Sequence, residues 1–246
     1  MREIISVSSS QTDHIRAAKA LSEQLDELRL PHAFIGGFAW SLLGSIRPTE
    51  DIDVLIETQN LDIASLRESL VEDDRHFAKF GIKLYYVQNV LEGVDREELV
   101  RRSSNNVLVE TLQAGLLGLP IVAKPTLEVG EHSIKILHPS VLILTKFKRW
   151  SVSHTSTRPK TIRKVASDTN DINFLILWLA ERRITIQFES YRGKMKPELL
   201  LMVRRFRDKY AESTELMESL RSIMPDDWDV MLALPAPEED SQVPPA

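Results

Sequence analysis

Residues 32–57 read HAFIGGFAWSLLGSIRPTEDIDVLIE. A short apolar run, Ala33, Phe34 and Ile35, ends in Gly36-Gly37. A segment able to make about two helical turns follows, then a polar link, Arg47-Pro48-Thr49-Glu50. The chain next enters Asp51-Ile52-Asp53-Val54-Leu55-Ile56, whose β-branched content and alternation predict a strand. On a strand Asp51 and Asp53 project together, while Ile52 and Val54 turn into the core. At a rise of about 3.3 Å per residue the two carboxylates stand about 6–7 Å apart at Cα. That separation lets them share one or two Mg²⁺ (or Mn²⁺) ions. The glycine pair ahead of a helix start lets backbone N–H groups approach phosphate oxygens, and the helix dipole favours the negative charge. A phosphate cradle beside a hard-metal pair is the minimum apparatus for in-line transfer of a nucleotidyl group. Taken singly the parts have plainer meanings: a strand-to-helix turn that needs positive φ, and a pair of solvent-facing acids.

Joined in this order, with apolar flanks, the two motifs resemble the signature of the DNA polymerase β-like nucleotidyltransferase superfamily. That signature is a hydrophobic strand, Gly-Gly or Gly-Ser, a short helix, then Asp-h-Asp-h. The resemblance implies a small mixed sheet, an NTP as substrate and a third metal-binding carboxylate on a later strand. In Asn106-Val107-Leu108-Val109-Glu110-Thr111-Leu112, a further strand candidate, Glu110 shares a face with Leu108 and Leu112. A charge among apolar neighbours is costly unless paired, and Glu110 is the best match to the third carboxylate. The family more often has Asp there, and the plain alternative is a Glu at a strand edge reaching water. Gly36 and Gly37, with Arg47 and Thr49 of the polar link, are the expected phosphate-binding group.

The 246 residues, 43% of them apolar, suffice for one large or two small cores. There is no Cys, which excludes disulfides, thiolate metal sites and a thiol nucleophile. No apolar run reaches the roughly 18–20 residues of a membrane span, and MREIISVSSSQTD has no signal-peptide core. A soluble cytoplasmic protein is the expectation. The six His residues lack His-x-x-x-His spacing, which disfavours zinc. Neither a Gly-x-x-x-x-Gly-Lys phosphate loop nor a dinucleotide fingerprint occurs. The net charge of −5 hides an asymmetry: residues 141–209 hold 16 Lys/Arg against 6 Asp/Glu, and the remainder 15 against 30. A basic half suits a polyanionic partner, although solvated helix faces give the same count.

Along the chain, residues 11–29 predict an amphipathic helix with Ile15, Ala18, Leu21, Leu25 and Leu28 inward. Asn60 or Asp62 would cap a helix to about Val71, and 82–87 and 133–137 read as strands. A short helix is expected over 95–102. His138-Pro139 marks a boundary, after which a helix would run to about Trp150. Residues 151–160 read as a loop, 161–183 as a helix, and 197–223 as one or two more. Trp228, Val230, Met231 and Leu232 would tuck back onto the core. The Pro-rich tail from 235 reads as disordered. The order of a Lys-bearing helix, a basic loop and Asp-x-x-Asp on the next helix resembles the AbiEii-type toxin branch of the superfamily. On that resemblance Lys146 contacts the triphosphate, and Asp168 or Asp171 lies near the active centre. Ser167 stands where that branch usually has Arg, with Arg163 and Lys164 a turn away. A snorkelling Lys146, and surface acids pairing with Lys164, are the plainer alternatives.

The expectation is thus an α/β (α+β) protein: a small mixed-sheet nucleotidyltransferase core over 1–138, a basic helical part over 139–234, and a tail. The resemblance implies Mg²⁺-dependent transfer of an NMP to tRNA or a protein hydroxyl. A small-molecule (aminoglycoside-like) acceptor and a catalytically silent NTP-binding module are the rivals. Oligomeric state and any antitoxin-like partner are left open.

Overall fold

The computed structural model describes residues 5–58, 61–131 and 133–235. The cap candidate Asn60, and the expected disorder beyond Pro235, lie outside the described residues. The chain divides after His138 into two units.

The first unit is a seven-stranded mixed sheet in the order β3-β4-β5-β2-β1-β7-β6. Its elements are α1 (Gln11–Glu27), β1 (His32–Ile35), α2 (Gly36–Leu42), β2 (Asp51–Ile56), α3 (Ile63–Asp73), β3 (Phe77–Phe80), β4 (Lys83–Tyr86), α4 (Arg96–Arg102), β5 (Val107–Gln113), β6 (Thr126–Val129) and β7 (Ile134–Leu137). β1 and β2 are antiparallel, with α2 and the polar link between them. β2 and β5 are parallel. That pairing needs a long crossover, which α3, β3, β4 and α4 supply. Asp62 caps α3, its side chain accepting from the N–H groups of Ala64 and Ser65. Ile52, Val54, Leu55 and Ile56 are fully buried, whereas Asp51 and Asp53 are half-exposed. The alternation predicted for β2 is therefore present.

Two short strands, β3 and β6, were not expected from the sequence. Each has four residues and pairs on one side with β4 or β7. Strands that short carry too little alternation to stand out. The inward face of α1 is also turned from the expected one: His14, Ala17, Ala18, Leu21 and Leu25 are buried, while Leu28 is exposed at the C-cap. Ala17 and His14 replace Ile15 and Leu28 on that face.

The second unit is helical among the described residues: α5 (Pro139–Ser153), α6 (Pro159–Glu181), α7 (Lys196–Lys209), α8 (Thr214–Ser222) and α9 (Pro225–Ala233). α5 extends into the stretch read as a loop. It is buried on nearly all sides through Phe147 and Trp150, which pack edge-on against Phe206 of α7 at 5.3 and 5.1 Å. The Trp150 indole N–H donates to Thr169 Oγ1 at 3.0 Å, satisfying the one polar atom of a buried ring. Trp228 and Met231 tuck inward as expected, but Val230 and Leu232 are 51% and 37% exposed on the other side of α9. Among the described residues no helix is long and apolar enough to cross a membrane.

Candidate active site

The β2–β5 register places Asp51 beside Leu108 and Asp53 beside Glu110. Partners in register point to one face, so Asp51, Asp53, Leu108 and Glu110 share a side of the sheet. On β5 the buried residues are Val107, Val109 and Thr111, with Leu108 and Glu110 on the less buried face, as the alternation predicts.

On the other side of β2, Ile35 of β1 is in register with Asp53, and the glycine pair follows at once. Gly36 opens α2 with φ +69°, a left-handed conformation that only glycine takes easily. A Cβ at Gly36 would stand 1.8 Å from Asp53 Oδ2. At Gly37 it would stand 2.7 Å from Thr49 Oγ1 and 3.7 Å from Arg47 Nη1. Both positions must be bare for backbone, carboxylate, hydroxyl and guanidinium to meet there. Thr49 is buried, and its hydroxyl lies 3.1 Å from both Asp51 Oδ1 and the Asp51 carbonyl. The sheet unit thus brings together Gly36, Gly37, Arg47, Thr49, Asp51, Asp53 and Glu110.

Two residues the sequence did not single out adjoin this group. His14 on α1 is 1% exposed, packs edge-on to Phe38 at 6.1 Å, and its Nε2 has no hydrogen-bond partner. Burial lowers its pKa, against the opposing fields of Asp13 and Asp51 and the hydrogen bond to the Ser8 backbone. Nothing in the sequence signals this, because it follows from the rotation of α1. Tyr85 on β4 is in register with Leu108, and burial, then the Glu110 charge, raise its phenol pKa. It stands in a predicted strand, but its proximity to Glu110 depends on which strand β4 joins.

The carboxylates are all hard oxygen donors of the kind Mg²⁺ and Mn²⁺ take. Among the described residues, no group of three or more His, Asp or Glu side chains is close enough together to hold a metal ion. Asp51, Asp53 and Glu110 therefore share a face without converging on one point. Mg²⁺ needs no closed protein cage, since it commonly takes one or two carboxylates and completes its shell with water and substrate phosphates. A phosphate against Gly36 would meet the Asp53 carboxylate directly, and two anions in contact call for a cation between them. Asp51, Asp53 and Glu110 thus have the donor chemistry that such an ion would need.

The remaining expected residues gather in the helical unit. Lys146 Nζ donates to Asp168 Oδ1 at 3.0 Å and Asp171 Oδ2 at 2.7 Å. Arg149 adds a bidentate pair to Asp168, with Nε 2.7 Å from Oδ2 and Nη2 on Oδ1. Lys146, Asp168 and Asp171 are all buried. Burial by itself raises the Asp168 pKa, but Arg149 and Lys146 outweigh it and hold the carboxyl below its ordinary value. Lys146 is thus a buried, doubly paired cation, and the acids bond it and Arg149.

No protein-family model matches the chain, and no curated protein is detectably similar in sequence. Among solved structures, it resembles the crystal structure of an antigenic nucleotidyltransferase-like protein from Paracoccidioides brasiliensis. The match covers 89% of this chain and 95% of that one, with a TM-score of 0.60 and 20% sequence identity. At that identity the likeness is one of fold, and the chain has a nucleotidyltransferase-like α/β fold.

Proposed function

We propose that the sheet unit transfers an NMP group from an NTP to an acceptor hydroxyl with the help of Mg²⁺ (or Mn²⁺). The observation that carries this is the contact of Gly36 with Asp53. It sets the backbone at the start of α2 against a metal-type carboxylate, so phosphate and cation would occupy adjacent places. Gly36, Gly37, Thr49 and Arg47 hold the β- and γ-phosphates. Asp51 and Asp53, with Glu110 on the same face, would hold the metal, which when bound would neutralise phosphate oxygens and make the acceptor hydroxyl more acidic. The acceptor oxygen attacks the α-phosphorus, forming the new O–P bond as the bond to the α–β bridging oxygen breaks. Pyrophosphate leaves, and Asp53 or Glu110 takes the acceptor proton.

Two acceptor classes have an observation each. The basic balance of residues 141–209 supports an RNA, and a cavity at Asp51 supports a small molecule. The test is labelling with each α-³²P NTP in Mg²⁺, with and without total RNA, beside Asp53→Ala. Label that vanishes in the variant is the expected result. An NTP bound without any transfer would point to a small acceptor missing from the assay or to the catalytically silent module, and no NTP binding would sink the proposal.

A further inference from the structure

A cavity of about 540 Å³ opens beside Asp51, walled by Phe80, Ile82, Tyr85 and Leu108 and flanked by Lys83 and Glu50. We infer that this cavity is the acceptor pocket, and that it takes a neutral, amphipathic small molecule bearing a hydroxyl. The inference rests on the nucleotidyl-transfer reading and supplies its second substrate.

Position comes first. Tyr85 pairs in register with Leu108, and Leu108 with Asp51, so one row crosses β4, β5 and β2. At about 4.8 Å per strand the row spans roughly 10 Å and ends at the carboxylates. Gly36 and Gly37 follow β1, on the other side of β2. In an in-line displacement the entering and leaving oxygens lie on opposite sides of phosphorus. With pyrophosphate held on the β1 side, the acceptor must enter from the β5–β4 side, where the cavity lies. Its hydroxyl would face the carboxylates, form the O–P bond and give its proton to Asp53 or Glu110 as pyrophosphate departs.

Chemistry decides the class. Most of the wall is apolar, and its volume suits a small molecule. An RNA end would bring phosphates that need several cations. Among the described residues the cavity lining offers one, Lys83, against the acids Glu50 and Asp51. A neutral compound can lay a ring or chain on Phe80, Ile82 and Leu108 without burying an unpaired charge.

Ile82 tests this cleanly, because it is 86% exposed and its replacement leaves the core intact. Wild type, Ile82→Glu and Ile82→Val are compared for NTP binding by equilibrium dialysis and for label transfer from α-³²P NTP. The acceptors are phenyl β-glucoside, N-acetyltyrosinamide and, separately, total RNA. The expected result is label in a small probe, reduced at least tenfold by Ile82→Glu and retained by Ile82→Val, with NTP binding equal in all three. Label confined to RNA, label indifferent to Ile82→Glu, or NTP binding with no label in either small probe would overturn the pocket while leaving NTP recognition standing. Absence of NTP binding in wild type would mark failure of the underlying nucleotidyl reading, and the pocket would fall with it.

Discussion

Gly36 and Gly44 both have positive φ, +69° and +99°, but only Gly36 is crowded. Alanine at either position incurs about 1–2 kcal/mol of backbone strain. At Gly44 nothing lies within 4 Å, whereas at Gly36 the new methyl must displace Asp53. Gly36→Ala should therefore abolish NTP binding, and Gly44→Ala should only lower the melting temperature by a few degrees. Equal NTP binding by the two variants would detach Gly36 from phosphate recognition. Burial makes a second prediction, through His14 and His32, whose pKa values it lowers. Both imidazoles stay neutral in the folded protein where the unfolded chain has begun to bind protons. Their contribution to stability is complete above about pH 6.5 and is lost as pH falls below it. Urea midpoints should drop from pH 7.5 to 5.5, and His14→Leu should flatten the slope by at most about 1.4 kcal/mol per pH unit. The glycines and aspartates were legible because their relation is local, two motifs joined by a short helix and a link. His14 was not, since its burial depends on how α1 is turned against the sheet.

Helices and strands show the same division between local and distant causes. β2 and β5 announced themselves by alternation, and their shared face could be read before their pairing was known. β3 and β6 are strands because β4 and β7 offer them partners, a property absent from four residues in isolation. The spacing of Asp168 and Asp171 placed both on one surface of α6, but the cation between them comes from α5 and could not be assigned from α6 alone. That cluster balances Lys146 and Arg149 against two carboxylates. Lys146→Met would leave Asp171 buried without its Lys146 pairing, at a cost of about 3–5 kcal/mol. Adding Asp171→Asn should recover a substantial part, because Asp168 keeps Arg149. Urea unfolding of the two variants measures this. A loss below about 1 kcal/mol for Lys146→Met would show that the cluster is solvated rather than sealed.

For the chain as a whole, the basic charge is concentrated in residues 141–209, with 16 Lys/Arg against 6 Asp/Glu. At the start of α6, Arg158, Lys160, Arg163 and Lys164 are all exposed, with no acid in the first turn. Arg158 at the N-cap and Lys160 in the first turn oppose the dipole by about 0.3–1 kcal/mol each. The helix dipole does not favour them, and they are the groups that a polyanion would meet. Each unit has its own buried core, Ile52, Val54, Leu55 and Ile56 with Phe34 and Phe38 in one, Phe147, Trp150 and Phe206 in the other. Residues 1–138 and 139–235 are therefore expected to melt cooperatively when expressed separately. On heparin the helical fragment should be retained and the sheet fragment should flow through. Replacing the four cations by Ala should weaken single-stranded RNA binding and reduce its log–log salt slope by about 3. It should also raise the melting temperature slightly, because the clash with the dipole is removed. An unchanged salt slope would return the basic residues to the role of a solvated face, and a lower melting temperature would show that the four side chains stabilise α6 rather than strain it.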